Sequence, residues 1–534
     1  MSASSRFNNT FHKVEDTLAH SHFQRFIFTF PRLNLYKLFI GRLRLLLNSY
    51  VGWGYRSLST PRLTLLFSLP SRPSLDQMTF CRALSACCAL CVMTVLSSCS
   101  SGESEGSGSG TAQAAPSNYA AYTGTDSLPI PSPPPALGPA NSIIADPTFG
   151  SRILRVTDSH TADGSSFIPE DAGNFRTWNA NSTAFKLMDK NGSSYWADFD
   201  PVNFQVGALH PLKLNNLWEW SAVDSNAIYF LNGSQLSRYD IRTQETTNLG
   251  RTPNGDPVRY HIAVVGDDKW VCSAAGAGSQ DTYTKVFCVN PSTSETKYID
   301  MVNRTINGVA QHDPNWPTSK AGQTLGIHAI FGSAGGSWLG LNFHQANWNH
   351  NGMSTLNLDT NAWSLVTSGD TYYSGHPSMG NGKWVNGAGS RNGEDSRGAL
   401  VRNPDALMNA AQYTFIMQPY ATSGWSDAEH SSWFNASTNP NAPILFSRYY
   451  GGRPAKASPW IGEIILAATD GSNTVWRFAH NHNGGGSFYG QSFAQISNDG
   501  RWALFSSYWD GTLGSSGGDF GLPTRIDTFV VELR

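Results

Sequence analysis

From about residue 146 to the C-terminus, apolar and polar positions alternate in short runs, and the runs come in pairs around tight turns. Gly326 to Phe343, GIHAIFGSAGGSWLGLNF, is the clearest case. It predicts a strand opening with His328, a Gly/Ser turn, and a second strand carrying Trp338. Alternation on both sides of a turn is the mark of half-buried antiparallel strands.

The pattern recurs. Clear copies are Tyr260 to Ala274, Gly375 to Gly387 and Ser492 to Ser507; weaker ones are Phe175 to Met188, Glu219 to Gly233 and Glu429 to Ser447. Seven copies about 40 to 65 residues apart fit a β-propeller with inserted loops. The expected fold is all-β: a seven-bladed β-propeller over residues 146–534. Each repeat reads as four strands, A to D from the axis outward. The last copy has only A, B and C before the chain ends. Its missing D strand is available as Arg152-Ile-Leu-Arg-Val156. An N-terminal strand added to the last blade would close the ring and remove an open edge.

Composition fits a large β core, with 40% hydrophobic and 14% charged residues and 51 glycines for turns. The net charge of −2 hides an asymmetry: residues 1–98 are basic, and the remainder carries a net −10. An acidic folded part argues against nucleic acid as a partner.

The basic N-terminal part has a different character. Met78 to Arg82 is a short basic region and Ala83 to Val95 an apolar stretch too short to span a membrane. Leu96-Ser97-Ser98-Cys99 then resembles the bacterial lipobox, which implies a signal peptide over 78–98, lipidation of Cys99 and, with Ser100 next, an outer-membrane address in the cell envelope. Residues 1–77 are expected to be a spurious or disordered extension, with translation starting at Met78. Residues 99–145 read as a Ser/Gly/Pro-rich linker, flexible in SSGESEGSGSG and stiff in PIPSPPPALGP. The membrane would then be met only through the lipid anchor, and the domain would be a monomer. Only Cys272 and Cys288 fall in the folded part. They sit on neighbouring strands of the third blade, where an oxidising compartment favours a disulfide; the alternative is two buried thiols.

Aligned on the repeat, the heads of the A strands are Arg176, Glu219, His261, His328, His376, His430 and Gln491 or Ser492. Four consecutive histidines would face one end of the central channel. A histidine there either caps the incoming loop or serves a site. The B–C loops open on the same face and carry Trp348, Arg448, Tyr449, Arg453, Tyr508 and Trp509. Flat aromatics with Arg suit carbohydrate, by stacking on sugar rings and forked hydrogen bonds. His480-Asn-His482 on an extended segment would point two imidazoles one way, enough to begin a metal site with Gln491 and His430.

With these residues the repeats resemble the WD40-like propellers of bacterial exported proteins, and within them the oligogalacturonate lyase type. The resemblance implies one divalent metal ion (Mn, Ca or Zn) on His430, His480, His482 and Gln491. Ulvan lyases, also seven-bladed, use His, Tyr and Arg. The implied function is a polysaccharide lyase acting on a uronate polymer or oligosaccharide by β-elimination. His376 or His430 would be the base, Tyr449 the acid and Arg448 or Arg453 the carboxylate neutraliser; Arg176, His261, His328, Trp348, Tyr508 and Trp509 would contact sugar. The alternative is a non-enzymatic surface propeller that binds glycan or protein. There is no GxSxG, HExxH or paired-carboxylate signature to decide between them. The lipobox reading predicts that a Cys99→Ala chain expressed in a bacterium loses palmitate labelling and membrane association, while the unaltered chain shows both.

Overall fold

The computed structural model describes residues 113–170, 175–214, 217–343, 353–365, 377–386, 399–407, 410–418, 429–448, 459–483, 488–515 and 524–534. The described strands are antiparallel and fall into seven sheets in a β-propeller arrangement. No helix among the described residues is long and apolar enough to cross a membrane.

The sheets pack face to face through apolar residues at alternate positions. Between the sixth and seventh sheets the layer includes Leu445, Phe478, Ile496, Phe505 and Phe529, all at most 1% exposed. Between the third and fourth it includes Trp270, Ile330, Leu339 and Trp363. The innermost strands approach so closely that a Cβ on Gly332 would stand 2.0 Å from the carbonyl oxygen of Val264. Only glycine fits there, which accounts for its place at the end of Ile327–Gly332.

The ring closes as the sequence predicts. Gln495–Ile496, Trp502–Ser507 and Asp527–Glu532 are the first three strands of the seventh sheet. Arg152–Arg155 supplies the fourth, with Ile153 opposite Val531 and Leu154 opposite Val530. Two ion pairs pin it: Arg152 Nε and Nη2 reach the Glu532 carboxylate at 2.6 and 2.9 Å, and Arg155 Nη2 reaches Asp527 at 2.5 Å.

The first sheet departs from expectation. The copy Phe175 to Met188, headed by Arg176, is expected to open with an inner strand; Trp178 does bridge Phe185, with the Lys186 N–H on the Thr177 carbonyl, but the assigned inner strand is Phe167–Ile168, farther along the same partner strand.

The linker reading is corrected for residues 113–145. Tyr122–Thr123 adds to the outer strand Val475–His480, and Ile143–Ala145 adds to Arg152–Arg155. Carbonyls of this strap accept hydrogen bonds from buried indoles: Gly124 from Trp460 and Pro135 from Trp509, each at 2.8 Å. A Pro-rich chain keeps its carbonyls as acceptors while lacking N–H groups, so it can satisfy buried donors and blunt two outer sheet edges together. Residues 1–112, which include the expected signal segment 78–98 and Cys99, lie outside the described residues.

Cys272 on Trp270–Ala275 stands opposite Cys288 on Lys285–Val289, and the two form a disulfide with an S–S distance of 2.04 Å. The bridge links positions 16 residues apart. Closing a loop of that size restricts the unfolded chain by about 3 kcal/mol. Cys272→Ala/Cys288→Ala is expected to lose about 2–4 kcal/mol in denaturant unfolding, and a reductant should destabilise the unaltered chain but not the variant.

Candidate functional site

The strands of the sixth sheet bring a row of polar residues to one end of the sheet, from its innermost to its outermost repeat strand. The order from the axis outward is Glu429–Ser432, Ile444–Arg448, Glu463–Ala467 and Val475–His480. His430 is opposite Ser447, Ser447 opposite Ile464, and Glu463 opposite His480.

At the inner end, His430 is fully buried and its Nε2 hydrogen-bonds the Oε1 of Gln491. An amide oxygen only accepts, so Nε2 carries the proton and Nδ1 holds the lone pair. The ring leans on Phe493, with centroids 4.6 Å apart.

At the outer end are His480 and His482, both fully buried. The backbone N–H of His480 donates to Asp146 Oδ2 at 2.8 Å, and its Nδ1 lies 3.5 Å from the same oxygen. Burial works against ionisation of Asp146, but the hydrogen bonds from His480 outweigh it and hold the carboxyl below its usual range. His482 Nδ1 pairs with Asp510 Oδ2 at 2.9 Å, and its ring packs 4.5 Å from Trp509. His482 thus has Nδ1 on a carboxylate, whereas His480 Nδ1 stands 3.5 Å from Asp146 with no hydrogen-bond partner among the described residues. Each leaves a buried Nε2 with no hydrogen-bond partner among the described residues. Between the two ends, Glu463 takes a bidentate pair from Arg477 at 2.5 and 2.7 Å. Burial pushes the Glu463 carboxyl up, opposed by Arg477 and by nearby His480 and Arg448.

His480 and His482 therefore do not join His430 and Gln491. His480 is on the outermost of the sheet's four repeat strands and His430 on the innermost, about 14 Å away at the usual strand spacing. Among the described residues no three His, Cys, Asp or Glu side chains stand close enough to hold an ion. The two histidines do not share one extended strand as the His-x-His spacing predicts. The strand stops at His480 and His482 turns left-handed, with φ at 51°, so the ring centroids are 6.3 Å apart.

Other expected contacts are elsewhere. Arg448 is fully buried and donates from Nη1 to the Pro459 carbonyl at 2.7 Å. Trp509 is core: it stacks on Phe529 at 4.8 Å, and Tyr508 packs with Ile168 and Ile526. Neither aromatic offers a face to a sugar. His261 is buried in a β-bulge against Phe175, with centroids at 4.7 Å, and burial drives its pKa well down. His328 is half-exposed and pairs through Nδ1 with Asp281 at 2.8 Å. Arg176 bonds Asn498 in the turn after Gln495–Ile496, whereas Gln491 precedes that strand. Arg176 is consequently at the tight-turn end of the channel, away from His430. Trp348, His376, Tyr449 and Arg453 lie outside the described residues.

Asp146, Asp510, Glu463 and Arg477 escaped the sequence reading. Arg477 carried a signal, as a charge inside the apolar run VWRFAH. Asp510 is the one acid in the SYWDG loop. Asp146 carried none, being 334 residues from its partner.

No family model matches the sequence, and no curated protein matches it. Among solved structures the chain is similar to an oligogalacturonate lyase in complex with manganese, at 14% identity over 74% of this chain and 96% of that one, with a TM-score of 0.48. It is similar to an oligogalacturonate lyase from Vibrio parahaemolyticus at 11% identity, over 73% and 96% of the two chains, with a TM-score of 0.47. The WD40 repeats of RRP9 match at 10% identity, over 74% and 100%, with a TM-score of 0.40. These are likenesses of fold and assign no activity to this chain.

If Trp509 is core rather than a sugar platform, Trp509→Ala should cost about 3–5 kcal/mol of stability in denaturant unfolding, the range for emptying a buried aromatic site. A variant of unchanged stability that had lost only glycan binding would show the opposite.

Proposed function

We propose that this chain is an exported, lipid-anchored β-propeller that acts on a uronate-containing carbohydrate with the help of one divalent metal ion. The observation that carries the reading is the pair His480 and His482. His480 is buried with Nε2 unpartnered among the described residues, and His482 beside it has Nδ1 on a carboxylate and Nε2 without a partner there, the arrangement that metal-ligating histidines adopt. The carboxylate fixes the tautomer and raises the basicity of the other nitrogen. These two residues fit an ion; His430 and Gln491, on another strand row, do not contribute to it as they stand. Mn, Ca or Zn would each supply a Lewis acid that neutralises a carboxylate and eases proton loss beside it.

The chain's own residues account for the rest. His430 is oriented through Nε2 by Gln491, and a neutral imidazole held so is the chain's candidate proton acceptor. Asp146 and Asp510 are positioning residues. Arg448 is taken out of the neutralising role by its burial and its bond to Pro459. The disulfide supports an oxidising compartment and hence export.

Metal content of the purified chain, measured beside a His480→Ala/His482→Ala variant, tests the reading. About one equivalent of a divalent metal is expected in the unaltered chain and none in the variant. That chain should also release unsaturated, ultraviolet-absorbing product from a uronate polymer, and His430→Ala should lose at least about a hundredfold in rate, the scale of a missing general base. Absence of metal from the unaltered chain would remove the metal-dependent reading, and loss-free His430→Ala activity would remove the base.

A further inference from the structure

The opposite end of the channel holds a second arrangement, which the proposed function does not use. Arg176 extends from the first sheet across the channel, with 1% of its surface exposed. Its guanidinium lies 4.7 Å over the Phe434 ring of the sixth sheet's turn. Nη1 donates to Asn498 Oδ1 of the seventh sheet at 2.7 Å. Nε and Nη2 have no hydrogen-bond partner among the described residues.

Those two N–H groups form the parallel fork with which Arg grips a carboxylate. The same molecule shows the fork in use. Arg152 sets Nε and Nη2 on Glu532, and Arg477 sets the same pair on Glu463. Arg176 is as deeply buried as Arg477. Its one side-chain acceptor, however, is a neutral amide.

The neighbouring acids are committed elsewhere. Glu219 accepts the backbone N–H of Arg176 at 3.3 Å and of Val264 at 3.0 Å, not the guanidinium. Its burial pushes its pKa up to about 8, against the pull of the two backbone N–H groups and of Arg176. Asp268 is used by Ser221, Tyr229 at 2.8 Å and the Ala222 N–H at 2.7 Å. Asp267 acts on Arg176 only through space, and burial raises its pKa as well. An arginine stays charged in a protein. Glu219, Asp268 and Asp267 act on Arg176 through space, but none accepts from its guanidinium, and a bound anion would supply the hydrogen-bonded partner that the fork lacks.

The geometry points to a binding site for a small planar monoanion, a carboxylate of the size of formate or acetate, held side-on by Arg176 Nε and Nη2 over Phe434. The site is at the tight-turn end, separate from His430 and from the His480–His482 pair. Its ligand chemistry follows from the fork: two parallel N–H groups match two oxygens on one carbon and give a spherical halide only one good contact.

The test is thermal unfolding of the full chain titrated with sodium formate against sodium chloride at equal ionic strength. Formate should raise the midpoint saturably, as a ligand of the native state does, and chloride should not. Arg176→Lys keeps the charge but lacks the fork and should weaken the formate effect about tenfold or more, a loss of about 1.4 kcal/mol. Asn498→Asp keeps Arg176 but places a carboxylate on Nη1, and it should suppress the effect even if Arg176→Lys does not fold. Crystals grown in formate give a readout without variants, with a planar anion expected on Nε and Nη2. The proposal is overturned by no saturable rise up to about 100 mM formate, a threshold that corresponds to binding of only about 1.4 kcal/mol. It is equally overturned by an equal rise with chloride, by an effect unchanged in the variants, or by water alone on the fork.

Discussion

The pairing of Arg152–Arg155 with Asp527–Glu532 holds the two ends of the described chain in one sheet, and the other features depend on it. A ring of sheets leaves one open edge unless the last sheet takes a strand from the start of the chain. Here the strand is fixed by a main-chain ladder and by ion pairs at both of its ends, Arg152 with Glu532 and Arg155 with Asp527. Docking it places Asp146 six residues upstream, beside His480, and brings the strap of residues 113–145 over the outer strands of the sixth and seventh sheets. The polar atoms around the histidine pair thus derive from three distant parts of the sequence, and closure is what joins them.

Charge is distributed with the same economy at both ends of the channel. At the loop-rich end Glu463 pairs with Arg477, and the His480 and His482 rings stand beside Asp146 and Asp510. At the tight-turn end the Arg176 guanidinium meets only an amide and an aromatic face, while Glu219 is occupied by backbone N–H groups. Burying a charge is costly unless it is paired, and the Arg176 Nε and Nη2 meet no acceptor among the described residues.

Much of the architecture was legible because it rests on local periodicity. Alternation of apolar residues needs only neighbours two apart, and the missing strand of the last repeat could be found by matching Arg152 to Val156 against the expected slot. The facing cysteines followed from the register of adjacent strands in one hairpin. The first sheet was less legible: Phe167–Ile168 pairs with Met188 and Asp189 while Trp178 bridges Phe185 of the same strand, and alternation along the chain does not show that the inner strand is split in two.

The sequence by itself determined the all-β repeat, the closing strand and the disulfide partners, since each depends on spacing along the chain. Tertiary structure decided which candidate groups meet. It set His480 at the outer edge of a sheet and His430 at its inner edge. It turned Trp509 and Arg448 into the core, and it set Arg176 at the opposite end from His430. Those outcomes depend on the order of strands across a sheet and on which end of a strand a residue occupies, and a spacing pattern does not encode either. It also made the strap part of the fold, because acceptors for the Trp460 and Trp509 indoles appear only once the outer strands are in place.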